Sequence, residues 1–344
     1  MEKLEVYECS ESEWSNALNG QKQSIFADPR WVGVMGEKSG KTLFLVVKQN
    51  NRPIAKACGI AINVRHFGGT RLFFYTYPVV LPGEYILQKS MEAIRDYAGK
   101  HRYSQVIFDY YDRQVYDEGG FPQGFLPYKR AEFVIDYQNG YVGHKLTSSI
   151  KGKIKQALKT GPTVEEETWE SIPYFIKLLE DTRQSRIGRN RNDYDPFSMP
   201  LFSERDIKPL IENGMIRVFS CRDSEQNIHF MAMCVMSKKG VYGLMNGCDE
   251  FGYKNGYPGY TIDYLIKKFQ HEQYDYFNMG PVPKEQGNAM AVFKSGLGAV
   301  PIITYGLKTD FLVFPYQMAN PVVRFARKIP YGPVLKKLSD LMRV

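Results

Sequence analysis

At 344 residues the chain is longer than one hydrophobic core comfortably serves and points to two domains. Its 43% hydrophobic and 24% charged residues are those of an ordinary globular protein, which excludes a disordered chain, and no apolar run reaches the ~18 residues that span a bilayer. The net charge of +8 suits an anionic partner, while the five cysteines (Cys9, Cys58, Cys221, Cys234 and Cys248) lack any CxxC spacing, which argues against a disulfide framework or a zinc site and fits a reducing cytoplasm.

The amino-terminal stretch mixes acids with a short strand pattern and has no apolar signal-peptide core. Two β-rich runs joined by a polar turn follow, TLFLVVKQ and RPIAKACGIAINV, then the strand RLFFYTYP, a helical pattern opening at Pro82-Gly83, and the strand YSQVIFDY. Asn139-Gly140 is a turn signal that predicts a domain boundary, and a helical stretch rich in lysine runs from there to Gly161. Helices are expected over Trp169 to Arg186 and Phe202 to Glu212, with an Arg- and Asn-rich segment between them that reads as a binding loop or a plain connector. The chain then repeats its first half: a hairpin from Met215 to Met236, the strand GVYGLMNG, a helix opening at Pro258-Gly259 and the strand YDYFNMG.

The repeat is too long for a solenoid, so the copies are domains. Each is read as helices, three successive strands, a helix and a further strand, an α/β unit with a mixed sheet. The predicted division is 1–138, 139–310 and a basic, short-helical tail 311–344. That tail carries Arg324, Arg327, Lys328, Lys336, Lys337 and Arg343 against Asp340 alone, and interleaves them with apolar residues. It is expected to meet an anionic membrane surface or, alternatively, to cap a core. A second acid-free cluster, Lys145, Lys151, Lys153, Lys155 and Lys159, suits a polyanion or forms a solvated face.

After the last strand comes a Gly- and Pro-broken loop and a short helix containing Phe293-Lys294, stopped by Gly296. A lysine there is favoured by the helix dipole without any function. Two blocks change the weighing: the basic helix Lys151 to Gly161, and Phe293-Lys294 followed by Gly296 to Gly298. With the duplicated unit, they make the chain resemble the Fem-type transferases, a tandem GNAT-fold family that includes enzymes moving an amino acid from aminoacyl-tRNA onto a peptidoglycan precursor. The similarity spans roughly Ser24 to Leu307. It implies two tandem GNAT-like domains with mixed β-sheets flanked by helices, and acyl or aminoacyl transfer to an amine of a cell-envelope precursor on the cytoplasmic side.

The resemblance implies that Lys294 stabilises charge at the transferred carbonyl, in a dry site walled by Phe293, Met290 and Val292. It places acceptor contacts on Arg183, Arg186, Arg189, Tyr194, Tyr242 and Asn246, and anion contacts on Lys151 and Lys153, which stand where the family commonly has arginine. Where relatives carry an acid and paired glycines, this chain has Asn278, Met279, Gly280 and Pro281. No bound cofactor is expected, with aminoacyl-tRNA or acyl-CoA as co-substrate. For acyl-CoA the phosphate cradle would be Gly256 and Gly259, but the spacing misses and Pro258 removes an amide donor. The alternatives are a CoA-dependent N-acyltransferase acting on a sugar or amino acid, and a non-catalytic double-GNAT module that binds a polyanion or membrane. Asp249 and Glu250 are candidate bases or plain loop acids, and the five histidines show no metal-ligand spacing.

Overall fold

The computed structural model describes residues 4–64, 68–83, 85–112, 120–138, 146–188, 195–282 and 288–326. The chain divides into two compact units, Met1–Lys129 with Thr304–Val344, and Arg130–Ile303.

The first unit opens with β1 (Leu4–Glu8), α1 (Glu11–Asn16) and α2 (Pro29–Ser39). Each helix starts where a side chain caps it: Ser10 accepts from the Glu13 amide and Asp28 from the Arg30 amide. β2 (Gly40–Gln49) and β3 (Arg52–Val64) form the expected hairpin, and the two residues between them, Asn50 and Asn51, take left-handed φ values of 50° and 62°, as a tight turn matched to strand twist requires. β4 (Gly69–Phe74), β5 (Val79–Val80), α3 (Ile86–Lys100) and β6 (Gln105–Phe108) follow. β1 to β4 are antiparallel neighbours, whereas β6 lies parallel to β4 because α3 carries the chain back along the sheet. Met91, Ile94 and Ala98 of α3, three and four residues apart, share one buried cluster with Leu43, Leu45, Leu72 and Val106.

β7 (Phe125–Asp136) carries the chain into the second unit. There α4 (Ser148–Leu158), β8 (Thr163–Glu167), α5 (Ile172–Ile187) and α6 (Ile207–Glu212) precede the meander β9 (Ile216–Arg222), β10 (Ile228–Met236) and β11 (Gly240–Cys248). Then come α7 (Glu250–Asn255), α8 (Tyr257–His271), β12 (Tyr276–Pro281) and α9 (Asn288–Gly296). The sheet runs β8-β9-β10-β11-β12-β7, antiparallel except for β11 and β12. β13 (Val300–Thr309) returns the chain to the first unit.

The compact units do not follow the expected division at 138, 310 and 311–344. That division tracks the sequence repeat, but the closing strand of each repeat is paired inside the other unit's sheet. Ile135 of β7 lies opposite Phe277 of β12, and Leu307 of β13 lies opposite Phe108 of β6. The turn signal Asn139-Gly140 falls outside the described residues, as does the tail beyond 326. The part of the tail that is described starts on the first unit with a buried Phe311 and continues to α10 (Asn320–Ala326). None of the described helices is long and apolar enough to cross a membrane.

Candidate active site

In the second unit the β12–β7 ladder is regular as far as Asn278↔Val134 and then shifts register before Pro281↔Glu132. Gly280, at φ 77°, makes that irregularity, a backbone conformation that glycine adopts without a steric cost. Successive carbonyls of a regular strand point to opposite sides. Here those of Met279, Gly280 and Pro281 converge on one point, the Nζ of Lys294, which donates to them at 2.7, 2.8 and 2.9 Å. The Gly280 amide is satisfied by Asn278 Oδ1 at 2.8 Å.

Lys294 reaches this point from the last turn of α9, and the turn is fixed at both ends. The Leu297 and Ala299 amides donate to Lys294 O, and the Thr147 amide ahead of α4 donates to Gly296 O. A side chain at Gly296 would press on Ile150 and Thr147, so glycine lets α9 approach α4. Phe293 is half-buried against the core cluster of this unit, while Met290 and Val292, expected to wall a dry site with it, are exposed. The apolar neighbour of the ammonium is instead Phe133, whose ring centroid lies 5.8 Å from Nζ.

Two charges from β7 complete the surroundings. Glu132 is 0% exposed and forms an ion pair with Arg130, whose Nη2 donates to the Tyr242 hydroxyl at 3.1 Å. A Cβ built on Gly280 would lie 3.9 Å from both Lys294 Nζ and Tyr242 Oη and 3.1 Å from Gly243 O, so both groups stand close to this glycine and the backbone around it is tightly packed. Burial pushes the Lys294 ammonium down to about 7; the Glu132 carboxylate holds it up and Arg130 presses it further down. The three carbonyls resist the shift, because only a charged amine has three N–H groups to offer them. The Asn278 amide nitrogen, buried on the neighbouring turn of strand, has no hydrogen-bond partner among the described residues. An amine poised near neutrality can donate to a developing oxyanion or exchange a proton at physiological pH.

No family model matches the chain, and no curated protein matches it by sequence. Among solved structures, FemX superposes with a TM-score of 0.64 at 11% identity, over 93% of this chain and 99% of its own. L-PGS from Bacillus licheniformis gives 0.56 at 15% identity, over 92% and 97%. A conserved protein of unknown function from Bacteroides thetaiotaomicron gives 0.56 at 11%, over 89% and 99%. The chain shares the fold of FemX and of L-PGS. At these identities the likeness is one of fold.

Within this fold, Lys294 and Tyr242 come together and the other expected residues do not join them. Asn246 sits four residues beyond Tyr242 on β11, nominally on the same face, but the β10–β11 register slips at Leu244 and leaves Tyr242 buried and Asn246 exposed. Arg183 and Arg186 lie on α5, which packs on β11 near Gly247 and Cys248; Arg183 pairs with Glu180. Arg189 and Tyr194 lie outside the described residues. Lys151 and Lys153 are exposed on α4. Gly256, at φ 79°, and Gly259 begin α8 with Lys153 packed over them: a Cβ on Gly256 would meet Lys153 O at 2.5 Å. Their small size serves the contact between α4 and α8. Asp249 caps α7 through the Gly252 amide and pairs with His229, a structural use of that acid.

A concavity of ≈530 Å³ on this unit is lined by Gly152, Lys155, Gln156, Lys159, Thr160 and Asn255. Neither Phe293 nor Lys294 is among its lining residues. Among the described residues no cluster of His, Cys, Asp and Glu could hold a metal. Sequence reasoning missed Arg130 and Glu132 altogether. The signal was the alternation Arg130, Glu132, Val134, in which two opposite charges share one face and Glu132 lies between Ala131 and the apolar run Phe133 to Ile135.

Proposed function

We propose that the chain transfers an acyl or aminoacyl group to an amine of a cell-envelope precursor, with aminoacyl-tRNA as donor and Lys294 at the reacting carbonyl. One observation carries the reading: a buried lysine, held on a strand irregularity beside a buried ion pair, in a chain with the fold of FemX. In this reaction the amine nitrogen attacks the ester carbonyl, an oxyanion forms, and its collapse expels the ribose hydroxyl, which takes up the proton lost by the amine. Lys294 serves if the carbonyl oxygen takes the place of one backbone acceptor; Pro281 O, at 2.9 Å, is the longest of the three. Catalysis then comes mainly from positioning and from the fixed charge.

The donor reading is supported by α4. Lys151, Lys155 and Lys159 are spaced by four residues, about 6 Å of helix rise apart, and Lys155 and Lys159 line the concavity. Such a row neutralises successive phosphates of a nucleic acid better than it holds one compact group. Acyl-CoA is disfavoured as donor, because the start of α8 is covered by Lys153 and Pro258 offers no amide.

The test is mass spectrometry of a muropeptide nucleotide incubated with the protein and either mixed aminoacyl-tRNA or acetyl-CoA. An aminoacyl adduct with the charged tRNA, lost with Lys294→Met, supports the reading; an acetyl adduct replaces it with the CoA-dependent one. A non-catalytic module is the second reading, favoured because all three ammonium protons are already satisfied. Absence of any adduct, together with a Lys294→Met protein that is merely less stable, would establish it.

A further inference from the structure

The residues after β13 leave an apolar face pointing outward from the first unit. Their backbone is fixed. The Leu312 amide donates to Ser104 O at 2.8 Å, the Phe311 amide donates to Asn320 Oδ1 and Asn320 Nδ2 donates back to Phe311 O, both at 2.9 Å. The buried Phe311 ring lies 5.7 Å from the Arg71 guanidinium, and Arg324 pairs with Asp310 at 2.7 Å. On this anchored segment Phe314, Met318, Val322 and Phe325 are 64%, 69%, 69% and 66% exposed. Met318, Val322 and Phe325 are four and three residues apart and share one side of the short helical stretch. Large apolar side chains held outward together by an ordered backbone mark an interaction surface.

We infer that this face inserts into the headgroup boundary of an anionic lipid bilayer. The occupant follows from the sequence immediately beyond it. Residues 327–344 carry Arg327, Lys328, Lys336, Lys337 and Arg343 against Asp340 alone, five cations to one acid in the stretch that continues from Phe325. Basic residues next to exposed apolar ones are the combination that an anionic surface retains: the charges draw the segment in and the apolar side chains hold it. A partner protein's apolar groove would need the side chains without the charges. The attachment is peripheral, since none of the described helices can cross a bilayer. The inference stands on the first unit and does not depend on the transferase reading.

The experiment is flotation of the full chain with vesicles of phosphatidylglycerol and phosphatidylcholine, and with phosphatidylcholine alone. The full chain is expected to float with the anionic vesicles and at least ~tenfold less with the neutral ones. Met318→Glu with Phe325→Glu should cut anionic flotation by ~tenfold or more while leaving the melting temperature unchanged, since both side chains are exposed. As a second measurement, Phe325→Trp should give an indole whose emission shifts to the blue on anionic vesicles and is quenched by brominated acyl chains. The inference is overturned if the full chain ignores both vesicles, if the charged variant floats unchanged, or if the introduced indole stays unquenched. A dimer in analytical ultracentrifugation that dissolves in the charged variant would assign the face to a second copy instead.

Discussion

The parallel ladder of the first unit pairs Leu72 with Val106 and Phe73 with Ile107; that of the second pairs Val241 with Phe277 and Tyr242 with Asn278. The rungs correspond, because each ladder is preceded by the same backbone bond, Ser104 N to Thr70 O and Asp275 N to Lys239 O, both 2.7 Å. Two residues on from Ile107 and Asn278, the buried Asp109 of the first unit stands where the second has Gly280. The strands that close the sheets differ likewise: counting from Leu307↔Phe108, Gly306 takes the position that Glu132 holds in the second unit. One rung therefore carries an apolar pair, Phe73 and Ile107, in the first unit and a polar pair, Tyr242 and Asn278, in the second. Fold alone does not require the polar version. Buried charges are costly, so the cluster around Lys294 is a place where the chain departs from what packing would choose.

The largest expected effect follows from breaking the charge pair. Glu132→Gln leaves Arg130 and Lys294 without their buried counter-charge and should lower unfolding free energy by about 3–5 kcal/mol, measured by urea titration. It should also push the Lys294 ammonium further down, because the carboxylate is what holds it up. An unchanged midpoint would mean that the second unit does not depend on the buried carboxylate at this position.

Lys294→Met comes next. If the lysine meets the oxyanion, transfer should fall ~10²- to 10³-fold, in the range seen for loss of one oxyanion donor. A loss below ~tenfold, about 1.4 kcal/mol, would leave it a structural clamp. The same variant has a pH signature. The folded chain holds Lys294 at about 7 against an ordinary 10.5, so between those values the unfolded chain binds more protons and stability rises with pH. The parent should gain on the order of 1–3 kcal/mol between pH 7 and 10 relative to Lys294→Met. Parallel pH profiles for the two proteins would place the lysine's titration elsewhere.

Gly280→Ala tests the irregularity itself. Alanine at φ 77° costs ~1–2 kcal/mol, and its Cβ would meet Gly243 O at 3.1 Å. Relaxing the strand would turn the carbonyls away from Nζ, so the pH-dependent part of the stability should shrink along with the total. A variant that loses stability but keeps the full pH dependence would show that the cage does not rely on this backbone conformation.

Much of the fold was legible because its signals are local. Asn50-Asn51 marks a two-residue hairpin turn, the period of α3 marks its buried face, and the doubled order of elements announces two similar units. The exchange of closing strands was not legible, since β7 and β13 look like the ends of their own repeats and nothing in their residues says which sheet they join. The same limit applied to the site. Lys294 was visible as a charge among apolar residues, but its partners are three backbone carbonyls, which have no sequence signature, and two charges from a strand more than 150 positions away. At Gly256 and Gly259 the sequence leaves a poor phosphate cradle and a plain helix entry both open, because glycine has two uses at a helix start; the closeness of Lys153, which the sequence does not announce, supplies a packing reason for them.

The smallest effects come from exchanging the two rungs. Tyr242→Phe makes the second unit like the first. Arg130 keeps its pair with Glu132, so the loss of one hydrogen bond of 3.1 Å should cost only about 0.5–1.5 kcal/mol. Phe73→Tyr does the reverse in the first unit, burying a hydroxyl beside Tyr75 in an apolar setting, and should cost about 1–3 kcal/mol if it finds no partner. By stability alone the first unit is thus the more sensitive. Transfer activity should rank them the other way: Tyr242→Phe should slow it, because the hydroxyl and the Lys294 ammonium both stand close to Gly280, and Phe73→Tyr should leave it unchanged. Equal activity in both variants would confine the functional cluster to Lys294, Arg130 and Glu132, with Tyr242 no more than a buried neighbour of Arg130.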